Sequence, residues 1–174
     1  MNTLDVPISL DVACDAIGTD RFVIEQVRLA VVATANSLGF SHGTIGVLIT
    51  GDAAIHVINR EHLRHDYPTD VISFQYDASG DHVEGELVAS LDTAVREAIE
   101  QGWPPMHELL LYAIHGTLHI CGLDDDNEVN RRVMRTAERH VLTMLGIEAV
   151  HCASDVHVGQ PVENLKIPTQ TGAC

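Results

Sequence analysis

Apolar positions recur with two different periods along this 174-residue chain, and the switches between them predict its elements. Val6 to Val12 alternates weakly and predicts a first strand. Thr19 or Asp20 suits the N-cap of a helix running to about Leu38. Val23, Val27, Leu29, Ala30, Val31 and Ala33 form its apolar stripe, and Gly39 stops it. Thr44 to Thr50 is a β-branched run bounded by glycines, hence a strand. Asp52 suits the cap of a helix through Leu63. Pro68 then excludes helix, and Asp70 to Tyr76 alternates as a strand. Residues 77–85 read as a turn or exposed hairpin loop, followed by a strand from Gly85 to Ser90. Asp92 opens a helix to Gln101, which Trp103-Pro104-Pro105 breaks. Met106 to Cys121 is the most apolar helix, ended by Gly122. Asn127 caps a last helix through Leu145, before Gly146.

This order predicts an α+β fold: a mixed β-sheet packed with helices. The short spacing between the strands at 70 and 85 makes at least one pair antiparallel. The length suits one domain, taken as residues 1–146. Residues 147–174 are polar, carry two prolines and lack periodicity, so they predict a poorly ordered tail. Hydrophobic residues make up 45% of the chain but aromatics only 4%, so aliphatic side chains must fill the core.

Charge narrows the partners. Acids outnumber bases 25 to 10, a formal net charge of −15, which argues against broad adhesion to nucleic acid or anionic membrane. It leaves room for local basic clefts. Arg60 and Arg64 lie with His62 and His65, while Arg131, Arg132, Arg135 and Arg139 share the last helix. Arg131, Arg135 and Glu138 fall near one face, where surface ion pairing explains them. Four cysteines without a CxxC pair read as reduced thiols. The first residues carry acids where a secretion signal needs bases and an apolar run. No stretch approaches a membrane span. The expected setting is the cytoplasm, without membrane association.

The chemistry concentrates in His115-Gly116-Thr117-Leu118-His119-Ile120-Cys121-Gly122-Leu123-Asp124-Asp125. Histidines four apart on a helix share a face, so both imidazoles reach one metal. Gly122 lets the chain turn back at positive φ, which returns Asp125 to the same ion. The pattern HxxxHxxGxxD has metzincin spacing, with aspartate where a third histidine is usual. Three protein ligands leave a position open, the arrangement of a catalytic site. A zinc protease places glutamate directly after the first histidine as general base; here that position is Gly116. Glycine there is expected to leave space beside the metal. Glu108 and Tyr112 lie on the histidine face as candidate partners of the ligands, and Cys121 reads as a buried thiol.

In this segment the chain resembles the YbeY-type rRNA maturation factors, metal-dependent endoribonucleases whose motif reads HGxLHLxGYDH. Two further blocks resemble theirs, Ile58-Asn59 followed by Asp66-Tyr67-Pro68-Thr69-Asp70-Val71-Ile72-Ser73-Phe74, and Gly85-Glu86-Leu87-Val88. All three fall in the family's order across roughly residues 40–146. The resemblance implies a zincin-like site on a central helix. It would hold one Zn2+ per chain on His115, His119 and Asp125. It also implies cleavage of single-stranded RNA, maturation of small-subunit rRNA and a part in ribosome quality control. The family's third metal histidine is Asp125 here, and its arginine before Pro-Thr aligns with Leu63. Arg64, one residue on, or Arg60, three before, is then the candidate catalytic arginine for the phosphate; Arg64 is preferred because Pro68 holds its segment out of helix. His62 and His65 are candidate bases.

The competing reading is a non-catalytic ribosome-assembly or RNA-binding factor with a structural metal, which Asp125 and the acidic surface favour. A metallopeptidase is the third reading, and Gly116 argues against it.

Overall fold

The computed structural model describes residues 7–16 and 20–148. Val6, Thr19 and the expected tail from 149 onward lie outside the described residues. Four strands and five helices form the α+β fold expected: β1 (Ser9–Cys14), α1 (Arg21–Ser37), β2 (His42–Thr50), α2 (Asp52–Ile58), β3 (Val71–Ser79), β4 (His82–Ser90), α3 (Leu91–Gln101), α4 (Pro105–Ile120) and α5 (Glu128–Met144). The sheet order is β1-β2-β4-β3. β1, β2 and β4 run parallel and β3 is antiparallel to β4, so the sheet is mixed and β3 is an outer strand.

Helix burial explains the layering. Val27, Ala30, Val31, Thr34 and Ala35 form the buried stripe of α1; Leu29, expected within it, points away and is 56% exposed. That stripe packs with α4, α5 and the inward residues Ile45, Val47, Ile49, Val83 and Leu87 of the sheet into one core. The other sheet face carries a smaller cluster, where Ile55 of α2 meets Ile72 and Val88. Close approach of α4 to the sheet depends on Gly85, where a Cβ would meet Ile120 Cγ2 at 2.5 Å and the Phe74 carbonyl oxygen at 2.6 Å.

Several boundaries move for local reasons. The loop expected over 77–85 shrinks to a tip at Gly80-Asp81, and β3 and β4 pair up to it, with a bulge between Gln75 and Asp77. The first helical turn of α2 is capped by Gly51; the Asp52 side chain, expected to cap it, instead accepts from Ser90, Thr93 and Arg96. Ser90 caps α3, which starts one residue before the expected Asp92. Asp92 in turn accepts from the Asp52 backbone N–H, so the two aspartates serve each other's helices. α2 continues as a π-helical turn over Asn59–Leu63, closed by Arg64 in the left-handed conformation, φ 61°. Ile147, expected in the tail, is buried. Gly146 adopts φ 74° and Ile147 donates to the Leu142 carbonyl, a helix-end motif that turns the next apolar side chain onto the core.

Candidate metal centre

The site is built at the C-terminal end of α4. His115 and His119 present their Nε2 atoms to each other at 3.0 Å. The Asp125 carboxylate closes the triangle, 3.8 Å from His115 Nε2 and 3.7 Å from His119 Nε2. One donor atom from each of the three lies within 4.8 Å of the others. The turn that returns Asp125 uses Gly122 at φ 91°, with Leu123 N–H donating to the Leu118 carbonyl. Arg131 of α5 donates to the Asp125 carbonyl at 3.3 Å and helps fix that turn.

The far nitrogens fix the ring orientation. His115 Nδ1 donates to Glu138 Oε1 at 2.6 Å, and His119 Nδ1 donates to the Leu123 carbonyl at 3.0 Å. A carboxylate and a carbonyl only accept, so both neutral rings carry their proton on Nδ1 and aim lone pairs from Nε2 at one point. Two lone pairs 3.0 Å apart, faced by a carboxylate, repel unless a cation lies among them. The donor set therefore fits a divalent ion with nitrogen and oxygen preference, such as Zn2+. Burial opposes charging of the His115 ring, but the Glu138 carboxylate outweighs it, so its pKa is raised above the usual imidazole value.

A cleft of about 490 Å³ opens over the two histidines, walled by Leu63, Val71, Ser73, Gln75 and Asp124. Gly116 is buried between α4 and β3 and does not line the cleft, so it offers no space beside the candidate metal position, contrary to expectation. A Cβ there would meet Ser73 Oγ at 2.9 Å and Val71 Cγ2 at 3.0 Å, so glycine is what lets α4 lie on β3. Glutamate in that position would be driven into the strand.

A sequence model of the family described as "Endoribonuclease YbeY" matches residues 15–146. The chain belongs to the YbeY endoribonuclease family. It is 53% identical over 125 residues to the Endoribonuclease YbeY of Rhodopirellula baltica, covering 71% of this chain and 64% of that protein. It is 34% identical over 135 residues to that of Carboxydothermus hydrogenoformans, covering 77% and 94% respectively. In fold it resembles the solution structure of TM1509 from Thermotoga maritima, with TM-score 0.54 and 19% identity over 80% of this chain and 91% of that one.

Against the family's motif, the structure brings His115, His119 and Asp125 together and leaves both arginines outside the cleft. Arg60, on the π-helical segment, and Arg64, which closes it, are exposed, and Leu63 between them lines the cleft. His62 sits edge-on to Phe74 and His65 stacks on Tyr67; neither lines the cleft. Arg131 and Arg132 pair with Glu128 on the surface, a different acid from the expected Glu138. Cys121 is buried, which pushes its thiol pKa up to about 12.

Glu138 is the functional contact that the sequence reading missed. Its spacing places it near the arginine face of α5, but it is 8% exposed and lies on the buried side with Met134, Val141 and Leu142. An acid in an apolar stripe needs a partner, and that stripe was the available signal. Glu108, the expected partner, is instead bonded by Trp103 Nε1 at 2.6 Å.

Proposed function

We propose that the protein is a zinc-dependent endoribonuclease that cuts single-stranded RNA, in the maturation of small-subunit rRNA and in ribosome quality control. One observation carries this reading: two imidazoles locked by Glu138 and Leu123 so that their free Nε2 atoms and the Asp125 carboxylate converge. His115, His119 and Asp125 would hold one Zn2+ in a zincin-like arrangement, and the ion would supply Lewis acidity toward a phosphoryl oxygen. Around it, Ser73 and Gln75 offer hydrogen bonds to the substrate from the outer strand, and Leu63, Val71 and Leu123 provide apolar walls for a base. Arg64, next to Leu63, supplies the guanidinium for developing phosphate charge. Its support is the backbone. Among the described residues it is the one non-glycine at positive φ, a strained geometry held by its N–H to the Asn59 carbonyl. Arg60 is the alternative. Small net-negative proteins gain little from general attraction to RNA, so contacts must be local. Among the described residues no helix is long and apolar enough to cross a membrane.

The competing reading, an RNA-binding assembly factor with a structural metal, draws on the absence of Arg and Lys from the cleft lining among the described residues. One experiment separates them. Purified protein with its metal should cut single-stranded RNA, and chelation or His119→Ala should abolish cleavage. Retained RNA binding without cleavage in the metal-loaded protein would favour the assembly factor.

A further inference from the structure

A second cavity, of about 460 Å³, adjoins the metal cleft and shares His115 and Asp70 with it. An RNA strand crossing the metal site therefore has room for a nucleotide on each side of His115. The second cavity is polar, and its charges decide what enters. Four carboxylates line it, from Asp70, Glu97, Glu108 and Glu138, against one guanidinium, Arg96. Two carboxylates are committed: Glu138 to His115 and Glu108 to Trp103. Asp70 is half used, its Oδ1 accepting from Thr69 Oγ1 and the Val71 N–H. Glu97 Oε1 lies 3.9 Å from Arg96 Nε, a loose pairing, so Asp70 and Glu97 keep acceptor capacity for an incoming group. A phosphate would meet like charge here; a neutral ring with N–H donors would not.

Arg96 is prepared for a planar partner. Its Nη1 donates to Asp52 and its Nη2 to Thr93 Oγ1, both at 2.9 Å. Asp52 is itself held by the Ser90 and Thr93 hydroxyls. The guanidinium is thus fixed while the side chain stays half-exposed, an arrangement that can stack on or donate to a base. Pro68 and Leu111 add apolar wall. Guanine suits this lining best. Its N1–H and amino group present two parallel donors to a carboxylate, and O6 and N7 accept from a guanidinium. Uracil places two carbonyl oxygens where carboxylates already crowd.

We propose that this second cavity is a nucleobase subsite, which takes the base beside the scissile phosphate and prefers guanine to uracil. The proposal rests on the nuclease reading for its place in catalysis, but base binding is measurable without turnover. Trp103 is the chain's one tryptophan and bonds the cavity residue Glu108, so its fluorescence reports occupancy. Guanosine titrated into zinc-loaded protein should change that signal at a concentration at least about tenfold below uridine, and Glu97→Gln should narrow the gap. RNA oligonucleotides with a single cleavable site should be cut about tenfold faster when guanine rather than uracil flanks it. Equal response to guanosine and uridine, with RNA still cut, overturns the subsite and leaves the nuclease reading standing. Selective guanosine binding with no RNA cut supports the subsite and overturns the nuclease reading.

Discussion

Glu138 Oε1 lies 2.6 Å from His115 Nδ1 and joins α5 to α4. The contact spans twenty-three residues of sequence and is made by an acid with little access to water. It sets the tautomer of His115 and raises the basicity of its Nε2. Replacing Glu138 with glutamine keeps the shape but removes the charge. The expected result is a loss of about ten- to a hundredfold in metal affinity, the scale for an outer carboxylate on a ligating histidine. Competition with a chromophoric chelator measures it, and unchanged affinity would show that the contact does not tune the ligand.

Asp125→His tests the third ligand. Imidazole is neutral, so the same ion would carry more net charge and act as a stronger Lewis acid. The variant should keep or gain metal affinity and cleave RNA at least as fast as the wild type. Complete metal loss would remove Asp125 from the ligand set and point to Asp124, which already lines the cleft.

The parts of this site legible in sequence are local. The four-residue spacing of the histidines and the glycine three past the second are properties of one helix and its end, so the pattern fixes their geometry. The contacts that were missed cross between elements. Gly116 looked like open space because sequence does not tell which side of α4 meets β3. Asp52 looked like a cap because its preference for that role is local, whereas its partners Ser90, Thr93 and Arg96 are brought by the parallel pairing of β2 with β4. Leu29 fits the helical stripe of α1 by type but lies on its outer side. Chain segments beyond 148 lie outside the described residues.

Gly116→Ala should destabilise the protein even though alanine favours helix by about 1 kcal/mol. Its Cβ would press on Ser73 Oγ and Val71 Cγ2, and overpacking of this kind costs about 1–3 kcal/mol. Adding Ser73→Ala removes the nearer obstacle and should recover part of the loss. Urea denaturation of the wild type and the two variants is the measurement; Gly116→Ala more stable than wild type would mean that β3 yields easily.

Asp52 links stability to pH. Burial raises its pKa, but hydrogen bonds from Ser90, Thr93 and Arg96 outweigh that, and the net shift is downward. A carboxylate with a lowered folded pKa stabilises the fold above its unfolded value, about 3.9, and loses that contribution as pH falls through the folded value. Asp52→Ala should therefore lower the melting temperature by several degrees at pH 7, consistent with about 1–3 kcal/mol for charged hydrogen bonds. The gap to wild type should shrink below about pH 4. A gap independent of pH would assign the loss to packing instead of charge.

Arg64 combines two properties that a single substitution pulls apart. Its φ of 61° disfavours any residue with a Cβ, and relief of such strain by glycine is worth about 1 kcal/mol. If the residue were there for structure alone, Arg64→Gly would be neutral or beneficial in every respect. If its guanidinium meets two non-bridging oxygens of the scissile phosphate, the same change should raise the melting temperature slightly yet slow RNA cleavage by roughly ten- to a thousandfold, the loss typical of one charge-stabilising donor. Arg64→Lys should also cleave slowly, because a point charge does not reproduce the fork. Leu63 faces the cleft, so Leu63→Arg added to Arg64→Gly should restore cleavage from the position that the family's arginine occupies. Metal content should stay at the wild-type level throughout. Wild-type cleavage by Arg64→Gly combined with loss in Arg60→Ala would transfer the role to Arg60.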